Sequence, residues 1–185
     1  LGSPSIRLGL DLARHSQLQV HVVFADPDTT RAARAAVLRA GLAGRVTAIH
    51  HAADDLPYVD TLFNLALVTG PAAARPINSL RRLVRPWGGL VVRADDGKVL
   101  VRRGPLQGAG EWSHMYADAA NTVCSGDQHV SGPLELQWFG RPGPQQMIDR
   151  HHRTVAPLFN AGRLFVPADN RVIAADAYNG TQLWN

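Results

Sequence analysis

Glycine and proline change their spacing once along this chain, and the change divides it into two parts that cannot share one architecture. Through residue 103 they are sparse enough to leave long uninterrupted runs. From Gly104-Pro105 onward, Gly108, Gly110, Gly126, Gly132-Pro133, Gly140, Pro142-Gly143-Pro144 and Pro157 break the chain every few residues. In a helix interior Gly costs about 1 kcal/mol and Pro about 3 kcal/mol relative to Ala, whereas short strands joined by turns absorb both. The switch predicts a first domain over 1–103, a linker over 104–111 and a second domain over 112–185.

Two periodicities alternate in the first part. Gln19 to Ala25, rich in β-branched and aromatic residues, predicts a buried strand. Asp26-Pro27-Asp28-Thr29 ends it and supplies helix-capping residues. Thr30 to Ala40 has the Ala, Arg and Leu content of a helix, and Gly41 or Gly44 can terminate it. Arg45 to His50, Leu62 to Thr69 and Gly89 to Arg93 predict further strands, with a short helix over Ile77 to Val84. Strands alternating with helices point to an α/β doubly wound layer. Ser5 to Arg14 reads as a helix with Ile6, Leu8 and Leu12 near one face. A helix so early implies that the strand normally ahead of it is missing, so the domain is expected to be incomplete at its amino end.

The second part predicts short strands at Leu134–Phe139, Arg163–Val166, Arg171–Ala175 and Thr181–Trp184, with one possible helical stretch at Gln145–Arg150.

Composition narrows the function classes. Of the 185 residues 45% are hydrophobic and 18% charged, which suits a folded chain rather than a disordered one. No apolar run approaches the roughly 20 residues that span a bilayer. Thirteen Arg and Lys98 face eight Asp in residues 1–104, a net of +6, while residues 105–185 carry −2. The arginines are scattered without aromatic interleaving, so they read as solvated helix faces and no nucleic-acid partner is expected. Cys124 is the one cysteine, which excludes an internal disulfide and a thiolate metal site. His50-His51 and His151-His152 are adjacent pairs, and adjacent strand residues face opposite ways, so no metal site is expected from them. Any signal peptide would lie upstream of Leu1, and the compartment stays open.

The order of elements in residues 1–93 resembles the class I S-adenosylmethionine-dependent methyltransferases. Leu1-Gly2-Ser3-Pro4-Ser5-Ile6-Arg7-Leu8 stands where that family has its glycine-rich loop, and Ala25-Asp26-Pro27-Asp28 stands at the end of the next strand. Asp54-Asp55-Leu56-Pro57-Tyr58, Leu62 to Leu67 and Leu83-Val84-Arg85-Pro86-Trp87-Gly88-Gly89-Leu90 are similar to later segments. The resemblance implies an α/β Rossmann-like fold and S-adenosylmethionine as cofactor. It assigns Gly2 to the cofactor's amino-acid part and Asp26, with Asp28 beside it, to the ribose hydroxyls. Asp26 and Asp28 read equally well as helix-capping residues. Pro4 and Ile6 depart from the family's Gly-x-Gly-x-Gly, Ala52 and Ala53 stand where a loop acid often holds the adenine, and Asn64 replaces a usual Asp. These departures predict a weak or inactive cofactor site.

Val172 to Trp184, with Ala175-Asp176, Gly180 and Trp184 in their spacing, resembles the repeat of pyrroloquinoline quinone (PQQ)-type β-propellers. Trp112 to Thr122 and Leu134 to Trp138 are similar to the entry of such propellers. The resemblance implies a fusion, of a kind found in large bacterial proteins: a methyltransferase-like domain, then the entry segment and about one blade. PQQ itself is not expected from so short a piece. Three functions follow as expectations. They are methyl transfer to an unknown acceptor, a non-catalytic binding or scaffold role, and a quinone-dependent dehydrogenase; no catalytic residue is singled out.

Overall fold

The computed structural model describes residues 5–52, 55–140, 148 and 155–185. The expectations for Gly2, Pro4, Ala53, Asp54, His151-His152 and Gln145–Arg150 lie outside these residues, Ile148 excepted. Two compact units are present. One takes in the chain up to Tyr58 together with Leu65–Leu83 and Leu90–Arg102; the other holds Val59–Asn64, Val84–Gly89 and Arg103–Asn185.

The first unit opens with α1 (Arg7–Arg14), β1 (Val20–Phe24), α2 (Pro27–Arg39) and β2 (Val46–His50). β1 and β2 pair in parallel, with Val20 opposite Val46 and Phe24 opposite His50, so α2 is the crossover of a βαβ unit. Thr30, Ala33 and Val37 are the buried residues of α2, a helical stripe from which Ala33 and Val37 pack with Val22, Phe24, Val46 and Ala48 into one core. The buried face of α1 is Gly9, Leu10 and Ala13 rather than the expected Leu8 and Leu12; Leu8 is exposed, while Ile6 does pack on the core. Gly9 explains the choice, because a Cβ there would lie 2.8 Å from Val22 Cγ2. The helix can meet β1 closely only along that line. Arg45 ties the same elements together, donating to the carbonyls of Ala13, Ser16 and Leu18.

β3 (Leu65–Val68), α3 (Ile77–Arg81), β4 (Leu90–Arg93) and β5 (Val99–Arg102) follow. β3 and β4 are parallel, and β5 returns antiparallel on β4. The turn at Asp95-Asp96-Gly97 makes this hairpin: Asp96 Oδ1 accepts from Lys98 N at 3.0 Å, and Arg93 grips both Asp96 oxygens.

In the second unit β6 (Leu158–Asn160), β7 (Arg163–Ala168), β8 (Arg171–Asp176) and β9 (Gln182–Trp184) form one antiparallel sheet in sequential order. Val166, Ala168 and Ile173 make its small core, with Leu164 against it.

The expected α/β Rossmann-like layer followed by a propeller blade is therefore corrected. The described residues hold three α-helices and three small sheets of two, three and four strands. Among the described residues no ladder joins β1–β2 to β3–β5 into a continuous doubly wound layer, and antiparallel β5 breaks the parallel pattern. Leu134–Phe139 forms no strand despite its alternating pattern. Leu134 and Leu136 are each 77% exposed, and Trp138 Nε1 donates to Ala177 O at 2.9 Å, a side-chain contact instead of a ladder. Alternation proposes a strand, but only a partner edge makes one. No described helix is long and apolar enough to cross a membrane.

Candidate functional site

The carboxyl ends of β1 and β2 bring Asp26 and His50 to one edge, where parallel strands commonly present ligand-binding loops. Asp26 is the N-cap of α2. Its Oδ2 accepts from Thr29 N at 2.6 Å and from Thr29 Oγ1 at 2.5 Å. Those two bonds hold its carboxyl below the ordinary aspartate value, with His50 a minor contributor. Asp28 stands in the first turn and pairs with Arg31 at 2.7 Å, both side chains well exposed. Of the three expected cofactor-binding residues the edge thus holds Asp26 and Asp28, while Gly2 is outside the described residues.

The histidines at this edge are each occupied by backbone. His50 Nε2–H donates to Ala25 O at 3.1 Å, and His51 Nε2–H donates to Asp55 O. Among the described residues no three His, Cys, Asp or Glu side chains converge as a metal-binding set.

The second unit carries a buried acid and a cleft. Asp176 closes the β8–β9 turn: its Oδ1 accepts from Tyr178 N at 3.0 Å and its carbonyl from Gly180 N at 2.9 Å. Side chain and carbonyl thus both tie the turn. Asp176 Oδ2 also faces Arg85 Nε at 2.9 Å, a pairing that no local sequence signal encodes. Trp184 is half exposed, its ring 6.1 Å from that of Phe165.

The cleft, about 280 Å³ in volume, is walled by Trp87, Phe159 and the loop Pro105–Glu111. Glu111 is the charged residue among those lining it. Residues 125–128 pin the loop. Gly110 N donates to Asp127 Oδ2, Glu111 N to Ser125 O and Gln128 N to Gly108 O. Residues of the expected linker 104–111 line this cleft, and the turn residues Pro86-Trp87-Gly88 are a signal for it in the sequence.

Comparison with known proteins adds little. No protein-family model and no curated protein matches the chain. A solved structure titled as the crystal structure of the [4+2]-cyclase SpnF is weakly similar, with 25% sequence identity and a TM-score of 0.41. The match covers 45% of this chain and 32% of that one, so the chain spans a minority of that protein's length.

Proposed function

We propose that this chain is a non-catalytic binding module in which the methyltransferase-type cofactor position has become a helix cap. One observation carries the reading: Asp26 Oδ2 is already held by two donors of Thr29. A carboxylate that receives both hydroxyls of a ribose needs its two oxygens for that purpose. Asp28 is engaged by Arg31, and Pro4 and Ile6 depart from the glycine-rich pattern that lets backbone approach the cofactor. A second reading, S-adenosylmethionine-dependent methyl transfer to an unknown acceptor, draws support from the position of Asp26 at the carboxyl edge of a parallel strand pair.

Calorimetric titration of S-adenosylmethionine into the full chain separates the two. The binding-module reading expects no heat of binding up to millimolar cofactor. A micromolar Kd that is lost in Asp26→Ala would overturn the helix-cap reading and support the second.

A further inference from the structure

We propose that the cleft between Trp87, Phe159 and the 105–111 loop binds a small organic ammonium ion with an apolar body. It shares no residue with the Asp26 edge, and it gives the binding-module reading a ligand class without depending on it.

Three features point to a cation. The first is composition: two aromatic residues, Trp87 and Phe159, line the cleft, and its charged residue is the carboxylate Glu111. An aromatic face attracts a cation through its quadrupole, most strongly in Trp, and a carboxylate adds direct charge attraction. The second is preorganisation. Asn160 Nδ2 lies 3.4 Å from Glu111 Oε2, which steadies one oxygen and leaves the other available. Phe159 is fixed by paired backbone bonds with Trp112, at 3.0 and 2.8 Å. Four backbone groups of the loop, Gln107 O, Gly108 O, Gly110 N and Glu111 N, bond to residues 125–129, which holds the loop in place before a ligand arrives.

The third feature is Trp87 itself. It holds φ at 60°, a left-handed conformation unusual for a bulky residue. Its amide donates to Gly104 O, and its carbonyl accepts from Arg85 Nη1 at 2.8 Å, which keep it there. A Cβ on Gly162 would lie 2.6 Å from Trp87 Cδ1, so the indole rests on bare backbone, yet the residue stays 40% exposed. Backbone held in a costly conformation to present a half-exposed indole is the pattern of a ligand contact. At about 280 Å³ the cleft lies just under the usual pocket range, which begins at about 300 Å³, so it suits only a small ligand.

Benzylamine and its neutral analogue benzyl alcohol test this on the full chain, with binding followed by amide chemical shifts of Gly108, Gly110 and Glu111. The expected result is millimolar binding of the amine, with the alcohol at least about fivefold weaker. In Glu111→Gln the preference for the amine should disappear while thermal unfolding stays unchanged, since Glu111 is exposed. Equal binding of amine and alcohol, or no shift with either at 20 mM (roughly ten times the expected Kd), would overturn the proposal. So would a Glu111→Gln protein that keeps the preference. The amine-against-alcohol comparison in the unaltered chain decides the matter even if the variant fails to fold. An S-adenosylmethionine titration that fails leaves this result untouched.

Discussion

Arg85 Nε lies 2.9 Å from Asp176 Oδ2, and Asp176 is only 1% exposed. Nε makes no hydrogen bond to it, so the attraction is chiefly charge to charge. Arg85 Nη1 is spent on the carbonyls of Pro86 and Trp87, at 3.1 and 2.8 Å. One arginine therefore neutralises the buried acid of the β8–β9 turn and holds the strained Trp87 turn.

Removing either partner should have unequal effects. Arg85→Leu leaves a buried carboxylate without its counter-charge and should cost about 3 kcal/mol. Asp176→Asn keeps an acceptor for Tyr178 N and leaves a charge that can reach solvent, so about 1 kcal/mol is expected. Urea unfolding of both variants checks the order; an equal loss would show that the pair acts only as packing.

The same pair sets a pH dependence. Burial pushes the Asp176 carboxyl above its ordinary value of 3.8, more than the Tyr178 amide and Arg85 pull it down. The folded chain then binds this proton more tightly than the unfolded one. Its contribution is greatest below the ordinary value and declines as pH rises through the raised one. Asp176→Asn should flatten that decline, read as Tm against pH relative to the unaltered chain.

Asp26 works in the opposite direction. Its lowered carboxyl stabilises α2 fully above the ordinary aspartate value, and that contribution is lost as pH falls through the lowered one. Asp26→Ala should lower Tm at neutral pH, and Asp26→Asn should recover most of the loss because Asn also caps. Neither variant should affect benzylamine binding in the 105–111 cleft.

Gly162 has a φ of 75° and its missing Cβ leaves room for Trp87. Gly162→Ala combines a backbone penalty with a clash and should cost about 2–3 kcal/mol. Gly41→Ala, at a φ of 66° with open space around it, should cost only about 1 kcal/mol. Denaturation midpoints compare the two, and the Gly162 variant should also shift tryptophan fluorescence.

Arg45→Ala removes donors to three carbonyls, one in the last turn of α1 and two in the link to β1, and about 2 kcal/mol is expected. Lysine, with one ammonium on a flexible stem, should rescue it only in part. Thermal melts of the two variants measure the difference.

Elements with a strong local signal were legible without coordinates. Thr30–Ala40 was expected as a helix and α2 spans Pro27–Arg39, with Asp26 capping it; Arg171–Ala175 was expected as a strand and β8 spans Arg171–Asp176. β5 is signalled locally only by the Asp96-Gly97 turn ahead of Val99, and Leu158–Asn160 is too short to stand out. The α/β layer was misjudged for a different reason. Alternating strands and helices say which segments are extended, and not which edges hydrogen-bond.

The sequence by itself determined local conformation: where backbone can be helical or extended, where turns must fall, and which faces are apolar. Those follow from residues within a few positions of one another. Only the tertiary structure decided that β1–β2 and β3–β5 are separate sheets, that Asp176 meets Arg85, and that Trp87, Glu111 and Phe159 share a cleft. Each depends on the meeting of side chains or strand edges far apart in the chain, and no local propensity encodes that meeting.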